Sequence, residues 1–373
     1  MNVHAGYRCW IGPLRLPVVL AVAAVMSFLA QGTGSAQLTR AHSQDIFSKY
    51  QKAVVQVRVI SVSSGEKSGL GSGFFISDQG VFATNYHVIA DAALYPSLFS
   101  IEYKRTDGTA GTAEILNLDP VHDLAILKAD QPSPDYFILG DSQMDKGTMI
   151  FAFGNPYDLG MIVVDGLYNG VMDHAMYRKI LFSGALNPGM SGGPAVKDDG
   201  KVFGVNVASA GNDISFFVPV EYLSELFQEF LNNDEKTLGP FWKMLIQKRI
   251  VLQNEAFFKE LLAQETWRRQ KIGIAHVPGE IADQFKCWGS TGENYRHWIK
   301  DYYLQCSTGD RIFLSSTMTT GLINIHYEWY QSRDINPFRF YNLYEKYAAN
   351  RDQSFYNVRE RDAGNFACGQ EYV

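Results

Sequence analysis

Residues 187–194 read Asn-Pro-Gly-Met-Ser-Gly-Gly-Pro, with Ser191 enclosed by Gly189, Gly192 and Gly193. A serine in such a loop becomes a nucleophile when other groups converge on it. A base must take its proton, an acid must orient the base, and N–H donors must receive the oxyanion. Glycines allow the positive φ and close approach such a loop requires, and they allow an ordinary turn equally well. The base candidate is His87, in Ala83-Thr84-Asn85-Tyr86-His87-Val88-Ile89, read as the tip of a strand. The orienting acid is Asp123, directly before the apolar run Leu124–Leu127. Burial there would leave a carboxylate in need of a partner, and His87 could supply it. The neighbours Asp119 and His122 are assigned to the turn. Gly189 and Ser191 are the candidates whose backbone N–H groups would form the oxyanion hole.

Elements must hold these groups in place. From about 51 to 220 the chain is written as short strands. They are expected at 54–62, 73–77, 80–84, 98–103, 113–118, 124–128, 149–153, 161–164, 180–182, 193–196, 202–207 and 214–218, punctuated by Gly, Asp and Asn. Residues 91–96 read as a connector. Many short strands indicate a β-barrel or sandwich. The strand after Ser191 excludes the G-x-S-x-G elbow, which requires a strand-to-helix step. Residues 222–272 carry helical spacing (Leu223, Leu226, Phe227, Phe230, then Phe257, Leu261, Leu262), broken at Leu238-Gly239-Pro240. After Ile274 aromatics crowd in. A hairpin of 311–316 with 322–330 around Thr320-Gly321 and a helix over 338–348 are expected, making a small α+β module. No internal repeat is visible.

The blocks GSGFFISDQGVFATNYHVI, DLAILK, FAFGNP and NPGMSGGPAV, in this order, resemble the trypsin-like serine proteases, most closely the HtrA/DegP group of bacterial exported proteases. The resemblance covers roughly 51–222. It implies a double six-stranded β-barrel with a site in the cleft, in which His87, Asp123 and Ser191 are the catalytic triad. Gly189 and Ser191 then form the oxyanion hole. The family's specificity pocket has its floor six residues before the nucleophile, here Ala185, followed by Leu186. The facing wall falls at Val207 and Ala208. With no acid at the floor, the resemblance implies a preference for small or medium apolar side chains rather than Lys or Arg. Two departures stand out. Met190 occupies the place where the group usually carries Asn and digestive relatives carry Asp, and Met cannot hydrogen-bond the loop. The C-terminal third lacks the peptide-binding loop of a PDZ domain.

The 373 residues are too many for one ordinary domain. The expected division is an export signal at 1–36, a protease domain at 37–221, a helical connector at 222–273 and a module of unknown function at 274–373. Arg8, Arg15, the apolar run 16–30 and Gly34-Ser35-Ala36 have the layout of a secretory signal cleaved after Ala36. This predicts an exported, periplasmic or secreted protein that meets a membrane only if the segment stays uncleaved. A net charge of −6 supplies no basic field for nucleic acid. Of the four cysteines, Cys287, Cys306 and Cys368 would remain after export. Three single pairings are open, and the closest in sequence, Cys287–Cys306, is the expectation. No C-x₂-C or H-E-x-x-H motif suggests a metal, and no cofactor is expected. The implied partners are polypeptide substrates, with a homo-oligomer left open. Two functions follow: an exported serine endopeptidase acting on unfolded chains, or a catalytically silent, chaperone-like protein of the same fold whose C-terminal module recognises a partner.

Overall fold

The computed structural model describes residues 43–351, except 173–174, 212, 233–240, 264–266, 295–298 and 333, together with the side chains of 208–211, 293–294 and 347–351. The expected signal segment and Cys368 lie outside the described residues. The chain divides into two compact units, Met1–Lys259 with Asp310–Gly321, and Glu260–Gly309 with Leu322–Val373.

The first unit is built on two closed barrels. One comprises β1 (Val54–Ser61), β2 (Lys67–Phe75), β3 (Val81–Thr84), β4 (Phe99–Arg105), β5 (Ala110–Asp119) and β6 (Leu124–Ala129), in the order β1-β2-β3-β6-β5-β4. The other comprises β7 (Met149–Gly154), β8 (Ile162–Val171), β9 (Ile180–Ser183), β10 (Pro194–Val196), β11 (Val202–Gly211) and β12 (Ile214–Pro219), in the ring order β7-β8-β9-β12-β11-β10. The same topology therefore occurs twice, although the sequence shows no repeat. Topology depends only on which strands alternate inward, and many side chains satisfy that.

Alternation sends the two faces of β1, β2 and β3 into different cores. Val55, Val57 and Val59 of β1 join Phe75, Phe82 and Tyr103 inside the first barrel. The opposite face contributes Val54, Phe74 and Ala83 to a second cluster, shared with Phe151, Phe153 and Val205 of the other barrel. Ile150, Ala152, Phe182, Phe203 and Phe217 fill the second barrel. Both faces of these strands thus carry buried apolar side chains. Full burial of each such side chain contributes about 1.5–3 kcal/mol.

Several expectations change. His87 does not end a strand. Strand β3 stops at Thr84, and helix α2 (Tyr86–Leu94) follows the helix at 43–50, here α1. Residues 91–96 are accordingly mostly helix. The run Val88–Ala93, apart from Asp91, is buried against the first barrel, so a single polar residue is too little to betray a helical period. Strand β2 begins at Lys67, before the expected Gly73, because Ser and Gly side chains hide its alternation. The expected connector is not a separate body. Helix α3 (Val220–Asn232) and most of α4 (Trp242–Ala263) belong to the barrel unit. Leu223 and Leu226 enter the inter-barrel cluster, and Trp242, Ile246 and Ile250 the first-barrel cluster. Among the described residues no helix is long and apolar enough to cross a membrane.

The second unit holds the hairpin β13 (Arg269–Ile272)–β14 (Ala275–Pro278), the antiparallel sheet β15 (Phe285–Asn294)–β16 (Ile299–Thr308)–β17 (Asn324–Gln331), and helix α5 (Pro337–Arg351). Cys287 and Cys306 face each other across β15 and β16 and are joined as a disulfide. The expected hairpin of 311–316 with 322–330 does not form, since β17 pairs with β16. The connection between those strands instead turns back on itself within the barrel unit. Thr320 N–H donates to Ile312 O (2.8 Å) and Leu314 N–H to Met318 O (2.8 Å).

Candidate active site

Asp123 sits in the tight connection between β5 and β6 with φ 56°, a conformation that costs a non-glycine residue about 1–3 kcal/mol. Its surroundings hold it there. Asn85, at the N-terminus of α2, donates its side-chain amide to Asp123 O (2.7 Å) instead of capping its own helix. The 3% exposed carboxylate then grips His87 at two points: Oδ1 accepts the His87 backbone N–H (2.8 Å), and Oδ2 meets Nδ1 (2.7 Å). A carboxylate only accepts, so Nδ1 carries the proton and Nε2 is left as the basic nitrogen.

Ser191 lies in the loop between β9 and β10, which is held from both barrels. Ser72 of β2 accepts from Asn155 N–H (2.9 Å) and donates to Gly189 O (2.7 Å), while its own N–H donates to Ser191 O (2.8 Å). From β11, the Asn206 amide donates to Phe153 O (2.7 Å) and Met190 O (3.1 Å). Gly192, at φ 85°, lies so close to the first barrel that a Cβ would meet Ser72 O and Thr84 Oγ1 at 2.3 Å. Met190 resolves the departure at its position by packing. It is fully buried in the second-barrel cluster, so dispersion and area burial anchor the loop where a polar side chain would use hydrogen bonds.

The same loop orients its donors. Pro188 O accepts from Tyr157 N–H (2.9 Å). Because the peptide is planar and trans, the Gly189 N–H points the opposite way. Neither that N–H nor the Ser191 N–H has an acceptor among the described residues. Gly189 has φ 97°, and a Cβ there would meet Asn155 O at 2.4 Å. The Ser191 hydroxyl donates to Val207 O (3.3 Å) and makes no hydrogen bond to His87.

His87 and Ser191 open onto a cleft of about 380 Å³ that is also lined by Leu70, Leu186, Asn187, Pro188, Gly189 and Val207. Of the expected pocket residues, Leu186 and Val207 line it. Ala185 does not, and the Ala208 side chain lies outside the described residues. Leu70 and Pro188 were missed. The sequence signal for Leu70 was an apolar residue in the Gly-Ser run 68–73, and that for Pro188 its place beside Gly189. Asp213 has φ 59° in the β11–β12 turn and does not line the cleft. Among the described residues no group of three or more His, Cys, Asp or Glu side chains is placed to hold a metal.

Residues 71–205 match the trypsin-like peptidase domain family. A probable periplasmic serine endoprotease, DegP-like, from Bartonella henselae is 36% identical over 176 residues, which is 43% of this chain and 33% of the relative. Serine protease HTRA1A of Danio rerio is 30% identical over 227 residues, 57% of this chain and 44% of the relative. The chain thus spans between a third and a half of the length of these curated relatives. The crystal structure of Deg5 aligns with a TM-score of 0.45 at 27% identity, covering 50% of this chain and 92% of that one. The double barrel of this chain is thus similar, over residues 71–205, to the trypsin-like peptidase domain, and the chain is similar over part of its length to DegP-like and HTRA1A serine proteases.

Proposed function

We propose that the protein is an exported serine endopeptidase that cleaves unfolded or misfolded polypeptides with Ser191, His87 and Asp123. The observation that carries this reading is the two-point grip of Asp123 on His87 beside a cleft containing Ser191 and two unengaged backbone N–H groups. Substrate entry turns the Ser191 hydroxyl from Val207 O towards His87. Nε2 takes the proton as Oγ attacks the scissile carbonyl. The N–H groups of Gly189 and Ser191 receive the negative oxygen. The imidazolium, held by Asp123, passes its proton to the leaving amine, and a water then repeats the sequence on the acyl-enzyme. The apolar side chains of Leu70, Leu186 and Val207 favour a small or medium apolar residue on the acyl side of the cut. Export rests on the layout of residues 1–36, and it agrees with the periplasmic designation of the Bartonella relative.

The bond from Ser191 to Val207 O, in place of one to His87, favours a second reading, a silent protease fold that binds chains without cutting them. One experiment separates the two. The chain from Gln37 onward is assayed on unfolded casein beside Ser191→Ala. The endopeptidase reading expects cleavage by the parent and a loss of about 10⁴-fold or more in the variant. An inert parent that also resists a fluorophosphonate probe would leave the silent fold.

A further inference from the structure

The segment Asp310–Gly321 lies outside the matched family region, yet it packs within the barrel unit. Its base is tied to the β8–β9 connection of the second barrel. The Asp310 carboxylate accepts from Met176 N–H (2.7 Å) and pairs with Lys179 (2.5 Å). Its tip is seated on the first barrel. Ile312 is 3% exposed in that barrel's core cluster, with Phe313 and Leu314 packed on the same cluster. Tyr86, the residue before His87, donates its hydroxyl to Leu314 O (3.1 Å). Burial, then the charges of Asp123 and Asp91, push the Tyr86 phenol well above its ordinary pKa, so it remains a donor throughout the working range. Ser316 donates to the Asp91 carboxylate on the same helix (2.5 Å). The arm is stiffened by its own bonds, including Ile312 N–H to Thr320 Oγ1 (2.9 Å). It therefore bridges both barrels and presents Phe313 to His87 with ring centroids 4.7 Å apart and 32° between planes.

We infer that Phe313 is a positioning residue for the proposed base: the arm clamps the His87 imidazole in the orientation that Asp123 sets beside the cleft containing Ser191. Asp123 holds the ring only along its Nδ1 edge, and an edge bond leaves rotation about that bond weakly opposed. A flat ring against the face opposes that rotation. Phe313 does not line the cleft with Ser191, so its contact leaves the substrate side open. A misplacement on the order of 1 Å in a catalytic group can cost about 10²-fold, so a ring held on one edge alone is expensive.

This inference rests on the endopeptidase reading. Its test uses the full chain and the rate at which a small fluorophosphonate labels Ser191, a step that requires the base but few substrate contacts. Phe313→Ala should label about 10- to 100-fold more slowly while keeping a cooperative melt, and Phe313→Tyr should restore the rate. With a peptide substrate the loss should fall on kcat and leave KM nearly unchanged. If Phe313→Ala does not fold, Phe313→Leu, which keeps an apolar plug without a flat ring, takes its place with the same expectation. Labelling at the parental rate overturns the clamp. Faster labelling also overturns it, by making the arm an obstruction. A parent that does not label overturns the endopeptidase reading itself, and the clamp with it.

Discussion

Two His–Asp pairs lie in the first barrel, and they are built alike. Asp123 accepts the backbone N–H of His87 at 2.8 Å and its Nδ1 at 2.7 Å. Asp119 accepts the backbone N–H of His122 at 3.3 Å and its Nδ1 at 2.6 Å. What differs is the rest of each imidazole. His122 is stacked on Tyr222 at 3.8 Å with Tyr177 against it edge-on. His87 has Phe313 against its ring and opens onto the cleft that holds Ser191. Pairing with a carboxylate orients an imidazole and chooses its tautomer. It does not make a base, because that depends on what stands at the other nitrogen.

Replacing each histidine in turn breaks the comparison most directly. His87→Ala should lower peptide hydrolysis by about 10⁴-fold, with a loss of stability of about 1–3 kcal/mol as Asp123 loses its partner. His122→Ala should cost a similar amount of stability, because Asp119 loses its partner, but leave turnover within a few-fold. A comparable loss of turnover in both would erase the distinction. Next in size is Met190→Asn, which gives the loop a side chain able to hydrogen-bond. Here it places an amide in the apolar second-barrel cluster, and a chemical melt should report a loss of about 1–3 kcal/mol. An unchanged melt would mean that the loop is held by hydrogen bonds rather than by packing.

The smallest effect concerns acid. Burial raises the Asp119 pKa, but the hydrogen bond and charge of His122 and the nearby Arg249 outweigh it and hold Asp119 below the ordinary carboxylate range. A carboxyl lowered on folding contributes stability that is complete above its unfolded value of about 3.9. That contribution is lost as pH falls through the lower folded value. Asp119→Asn should therefore flatten the stability–pH curve below about pH 4. A parental slope in acid would remove Asp119 from the account.

The candidate site residues could be picked out of the sequence because the requirements on them are local. Ser191 stands among glycines that a bulky loop could not replace, since a Cβ at Gly189 or Gly192 would strike backbone. Asp123 directly precedes an apolar strand. The barrels were legible through inward-facing residues such as Val55, Val57 and Val59. Helix α2 was not, because Val88–Ala93 is apolar except for Asp91, and one polar residue gives too little periodicity to distinguish a buried helix from a strand or a connector. The arm was not legible either. Ile312, Phe313 and Leu314 read as half of a local hairpin, and nothing nearby in sequence reveals that Leu314 meets Tyr86, Phe313 meets His87 and Ser316 meets Asp91.

By itself, then, the sequence determined the strand pattern, the glycine-bounded serine and the set of groups able to do acyl transfer, since each depends on side-chain type and short spacing. The tertiary structure alone decided that His122 is stacked on Tyr222 while His87 shares a cleft with Ser191, that Met190 anchors its loop by burial, and that residues 310–321 return to the barrel unit. These are contacts between groups tens to hundreds of residues apart. They follow from how two closed barrels and an arm pack, and chain order does not encode that packing in any one place.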